Sequence, residues 1–103
     1  MGLRAFIKEG FEVVKAYCND TEQYDKFQQQ NWFHFLRIIR NALSHNFKFD
    51  FSKENKNRFP ITWKGKIITK NMDGTYLTDA IFGPMEAFVI NNEMANFVMN
   101  VLD

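Results

Sequence analysis

Trp32-Phe33-His34-Phe35-Leu36-Arg37-Ile38-Ile39-Arg40-Asn41-Ala42-Leu43-Ser44-His45 is the stretch on which the reading of this chain turns. Apolar residues fall on most sides of it. As a helix it therefore needs burial against its own core and against a partner. It ends in Arg40, Asn41, Ser44 and His45, so a guanidinium, an amide, a hydroxyl and an imidazole stand at the tail of a buried element.

Working outward, Leu3, Ile7, Phe11, Val14 and Cys18 recur at helical spacing and predict an amphipathic helix over residues 3–18. Asn19-Asp20-Thr21 stops it and caps a second helix over 22–44, whose first half is polar at Gln28-Gln29-Gln30. Phe47-Lys48-Phe49-Asp50-Phe51 alternates as a short strand or an extended arm does. Ile61-Thr62-Trp63 and Lys66-Ile67-Ile68-Thr69 read as two strands around a Lys64-Gly65 turn. Pro84 opens a final helix ending near Leu102, with Phe88, Met94, Val98 and Val101 on its inner face; alternatively Asn91-Asn92 interrupts that stripe and the helix starts there. The expected fold class is mainly α: a small helical bundle with a β-hairpin inserted around residues 59–70, forming one domain over residues 1–103.

Twelve Phe, three Tyr and two Trp in 103 residues are much aromatic surface for a small domain to hide alone. We therefore expect a homodimer through the second helix. The net charge of +1 gives no global polyelectrolyte argument, but residues 48–70 hold seven basic side chains against two acidic ones. Aromatics are interleaved with them, a mixture able to follow a phosphate backbone and stack bases. Lys48, Lys64, Lys66 and Trp63 are the expected RNA contacts; the competing reading is a solvated hairpin with ordinary surface lysines. Cys18 is the single cysteine, which excludes a disulfide framework and points to a reducing, cytoplasmic setting. No apolar run approaches membrane-spanning length, so no membrane partner is expected.

Asn41 and His45 are four residues apart and share a helical face; Arg40 and Ser44 share a neighbouring one, and Arg37 precedes Asn41 by four. Arg40 and His45, five apart, diverge by about 140° around an ideal helix. Two copies facing across a two-fold axis would supply a composite pocket with both groups from each. RNA brings its own nucleophile, the 2′-hydroxyl. His45 would move a proton, Arg40 would stabilise phosphoryl charge, Asn41 would position, and Ser44 and Arg37 would support, with neither metal nor cofactor. Taken alone, Arg-x-x-x-x-His is a weak pattern, and a histidine near a helix C-terminus is often a dipole partner only.

At Arg40, Asn41 and His45 the chain resembles the HEPN superfamily (higher eukaryotes and prokaryotes nucleotide-binding domains). Its signature is Arg, commonly followed by Asn, then His after four to six intervening residues. The resemblance covers residues 32–47. It implies a helical, dimeric, metal-independent endoribonuclease leaving a 2′,3′-cyclic phosphate, in a toxin–antitoxin or antiviral defence setting with an inhibitory antitoxin or defence-complex partner. The alternative it carries is a non-catalytic RNA- or protein-binding module. Where antitoxin-modified members often have Tyr two residues after the His, this chain has Phe47, which offers no hydroxyl for modification.

Other constellations are weaker. Asp50, Glu54 and Lys56 mimic a metal-nuclease triad, but the segment around them is too polar for a buried strand. His34 and His45 are eleven apart without a third ligand nearby, and Gly65, Gly74 and Gly83 are isolated turn residues.

Overall fold

A computed structural model describes the backbone of residues 3–103 and the side chains from residue 7 onward. Its described elements are α1 (Leu3–Asp20), α2 (Tyr24–Gln28), α3 (Phe33–Ser44), the strands β1 (Ile61–Trp63) and β2 (Lys66–Ile68), and α4 (Pro84–Asn100), with short 3-10 turns at Lys56–Arg58 and Lys70–Met72. Helix α1 packs against both α3 and α4. The mainly helical bundle with a small hairpin is thus present. Among the described residues no helix is long and apolar enough to cross a membrane.

The core is aromatic. Phe27 lies 5.3 Å from Phe11, 4.7 Å from Phe33, 5.9 Å from Trp32 and 5.7 Å from Phe97, ring centre to ring centre. This cluster corrects the expectation of one helix over 22–44: the chain breaks between α2 and α3 at Gln29–Trp32. On a continuous helix Phe27 and Trp32 would diverge by about 140°. The break lets both turn inward, where each is buried. Gln28 to Asn31 contribute no apolar side chain that would hold another helical turn in place.

The hairpin forms in the expected place, with Ile61 opposite Ile68 and Trp63 opposite Lys66. Lys64 and Gly65 both have positive φ, 47° and 80°, the geometry of a tight two-residue hairpin turn. Ile61, Trp63 and Ile68 point to the core, and Trp63 sits 5.0 Å from Phe35 of α3. By contrast, residues 47–51 form no strand: Phe47 lies in a turn, Lys48 makes an isolated bridge to Tyr76, and residues 49–51 have no regular secondary structure.

Helix α4 runs unbroken from Pro84, past Asn91 and Asn92. Gly83 donates its N–H to Glu86 Oε1 at 2.8 Å, satisfying one free donor of the first turn. The expected inner face is corrected. Ala87, Ile90, Met94 and Phe97 are buried, whereas Phe88, Val98 and Val101 are exposed. Since α4 is apolar on several sides, periodicity could not decide which side faces inward.

Candidate functional site

Seven of the twelve residues of α3 are buried. What α3 leaves outside is polar: His34, Arg37, Arg40 and Asn41 are partly exposed, and Ser44 is exposed. The helix closes at His45, where Phe47 N–H reaches back to the Ala42 carbonyl at 2.8 Å. Asn46 and Phe47 both take positive φ, 57° and 65°. Asn tolerates that region; a bulky Phe there costs roughly 1–3 kcal/mol. Segment 73–77 holds the strained corner: Leu77 N–H donates to Phe47 O at 2.6 Å and Phe49 N–H to Thr75 O at 2.8 Å. The corner fixes the backbone that carries His45.

His45 is exposed, and its imidazole makes no hydrogen bond to another described residue. It lines a shallow hollow of about 340 Å³ together with Lys48, Phe49, Asp50, Asp73 and Gly74. Asp73 Oδ1 accepts from Phe51 N–H at 2.9 Å. The Asp50 carboxyl is held below its ordinary range, first by the backbone N–H of Ser52 and its hydroxyl, then by the charges of His45 and Lys53. Lys48 stays at this hollow, its ammonium 5.9 Å from the Tyr76 ring centre. The hollow therefore offers a proton carrier, a cation and carboxylates on one exposed rim.

Arg40 sits beside α1. Its Nη2 pairs with Glu12 Oε1, its Nη1 donates to Asn41 Oδ1 at 2.9 Å, and its guanidinium carbon lies 5.3 Å over the Phe11 ring. The Arg40 side chain is 23% exposed and that of Glu12 52%. The buried Arg40 Nε has no hydrogen-bond partner among the described residues. Asn41 therefore serves the arginine rather than orienting His45.

Several expected contacts are corrected. Trp63 is 4% exposed and packed on Phe35, so it has no free face for a base. Lys64 and Lys66 turn to α4: Lys64 Nζ is 3.3 Å from Glu93, Lys66 Nζ is 3.8 Å from Glu86 and donates to Ala80 O at 2.9 Å. Arg37 is engaged by Glu54, whose side chain is 4% exposed. Lys56 donates to Phe51 O, so Asp50, Glu54 and Lys56 have separate partners. The expected pairing through the second helix finds no apolar outer face on α3, because its apolar residues are consumed by the core. Glu12 and Asp73 escape sequence reasoning, and Asp50 entered it only in a discarded triad: Glu12 meets Arg40 from another helix, and Gly74 identifies a turn but not what the neighbouring Asp73 faces.

No family model matches the chain, and neither a curated protein nor a solved structure is detectably similar to it.

Proposed function

We propose that this chain is a metal-independent endoribonuclease of the HEPN type, built around Arg40 and His45. The observation that carries the reading is that the tail of a mostly buried helix leaves both groups within reach of solvent: His45 is exposed, and Arg40, packed over Phe11, is reached from the surface beside Glu12. His45 takes the proton of the 2′-hydroxyl as that oxygen bonds to the adjacent phosphorus. Arg40 and Lys48 stabilise the phosphoryl oxygens. The bond from phosphorus to the 5′-oxygen breaks, and the imidazole of a second copy over the same strand returns a proton to that oxygen. The products are a 2′,3′-cyclic phosphate and a 5′-hydroxyl. Because the outer face of α3 is polar, the RNA strand itself would bridge two such sites. An inhibitory antitoxin or defence-complex partner would restrain the activity.

A second reading, a non-catalytic binding module, is favoured by the engagement of Arg40 with Glu12 and Phe11. Incubating RNA with the protein in excess chelator separates the two. Cleavage that leaves cyclic phosphate ends and is lost in His45→Ala supports the nuclease. Binding without cleavage supports the module, and cleavage that survives His45→Ala removes His45 from the mechanism.

A further inference from the structure

The outer face of α4 is apolar where a solvated helix would be charged. Met85, Phe88, Asn92, Ala95 and Met99 follow at intervals of three and four, and all five are exposed. At 100° per residue they fall within about 80° of arc, opposite the buried Ala87, Ile90, Met94 and Phe97. Met85, Phe88 and Met99 are 70%, 65% and 76% exposed. Glu86 and Glu93, the charged residues of α4, lie off this stripe and turn toward the hairpin lysines Lys66 and Lys64. Charge has been cleared from the stripe, as in the centre of an interface.

The stripe continues past Ala95 and Val98 into a groove of about 500 Å³ shared with α1, lined there by Gly10, Val13 and Val14 with Glu9 as its one charged residue. Val13, Met85, Phe88, Val98 and Met99 leave on the order of 600 Å² of apolar side chain in water, against roughly 800 Å² per partner in a specific interface, rim included.

We infer that this face pairs with the same face of a second copy, the two α4 helices running antiparallel. The stripe is complementary to itself in that direction. A two-fold axis passing midway between Asn92 and Ala95 sets Asn92 against Ala95 of the other copy and Phe88 against Met99. Alanine leaves room for the facing amides, and thioether sulfur packs well at an aromatic ring. The two Asn92 amides then lie on either side of the axis, where they bond to each other and fix the register, as a single polar residue in an apolar seam does. The pairing is independent of the nuclease reading: the stripe lies on α4, whereas Arg40 and His45 belong to α3 and its C-terminal end, so a chain inactive on RNA would pair in the same way.

Sedimentation of the whole chain at about 100 μM tests this, with circular dichroism confirming that each variant is folded. We expect a dimer for the wild type. Phe88→Glu and Met99→Glu each place a charge in the seam twice and should raise the dissociation constant at least about a hundredfold. Phe88→Cys combined with Met99→Cys should form an intermolecular disulfide on oxidation, while Phe88→Cys alone should not. A monomeric wild type overturns the proposal, whatever else the face captures. So does a dimer that persists unchanged in both glutamate variants.

Discussion

Arg40 of α3 and Glu12 of α1 are an ion pair at the edge of the helical bundle, and Asn41 holds the other arm of the same guanidinium. The pair presents the arginine at the surface and at the same time partly cancels its charge. For Arg40 to meet a phosphate, Glu12 must give way.

Glu12→Ala should therefore strengthen the interaction with RNA. A pair whose carboxylate is open to water is worth about 0.2–1 kcal/mol, so the gain should stay below about fivefold in RNA affinity or cleavage rate. Filter binding at fixed ionic strength measures it. Weaker binding in Glu12→Ala would mean that the carboxylate positions Arg40 for its ligand instead of competing with the phosphate.

Arg37 and Glu54 behave differently. Arg37 Nη1 donates to Glu54 Oε2 at 2.7 Å and Nη2 lies 2.5 Å from Oε1, a two-point contact joining α3 to the loop ahead of β1. Because the Glu54 side chain is 4% exposed, removing its partner strands a carboxylate in poor solvent. Arg37→Ala should lower stability by about 1–3 kcal/mol in urea unfolding, the lower end reflecting the partial exposure of the arginine. Combining Arg37→Met with Glu54→Gln should recover most of that loss. An additive double variant would show that the two groups do not support each other.

The contrast between these arginines shows what the sequence could carry. Signals that are local were legible: the Lys64-Gly65 turn between two β-branched runs, Pro84 opening α4, and the heavy burial of Trp32 to Leu43. The break after α2 was not, since it follows from Phe27 and Trp32 both finding room beside Phe97, a residue 65 or more positions away. The inner face of α4 was hidden for another reason. Its stripe at Met85, Phe88 and Met99 is nearly as apolar as its core side, so the pattern lacks the contrast that assigns a side. Trp63 misled because an aromatic among lysines suits base stacking equally well as a strand packing inward; only the contact with Phe35 decides. The candidate site was legible as residue types and illegible as partners, because Glu12 and Asp73 come from elements remote in sequence.

His34 gives a pH-dependent signature. Burial holds its imidazole below the ordinary value, with the Arg58 and Arg37 charges acting in the same direction and Glu54 opposing them, and its buried Nδ1 has no hydrogen-bond partner among the described residues. The folded chain thus resists protonation that the unfolded chain accepts. That contribution to stability is complete above the unfolded value of about 6.5 and falls away as pH drops through the lower folded value. The carboxyls of Asp50 and Glu86 are held below their usual range and titrate beneath this window. In a His45→Ala background, which leaves one imidazole, the Tm should fall between pH 7.5 and 5.5, and His34→Phe should flatten the fall. Equal losses in both proteins would remove His34 as the cause.

Gly10 supplies the last prediction. It sits inside α1 facing α4, and a Cβ added there would meet the terminal methyl of Met94 at 3.3 Å. Two effects compete. Replacing a helical glycine by alanine contributes about 0.5–1 kcal/mol through the unfolded chain's lost freedom. The contact opposes this, but the atom in the way is the free end of an unbranched side chain beside an open groove, which can turn aside with little loss. Gly10→Ala should therefore stabilise the fold by roughly 0.5 kcal/mol, read as a higher urea midpoint with unchanged slope. Gly10→Val should reverse the sign, because a branched side chain meets Met94 with two carbons that cannot retreat and gains little helix propensity. Destabilisation by alanine comparable to that by valine would show that α1 and α4 are locked at this crossing more rigidly than the methionine contact implies.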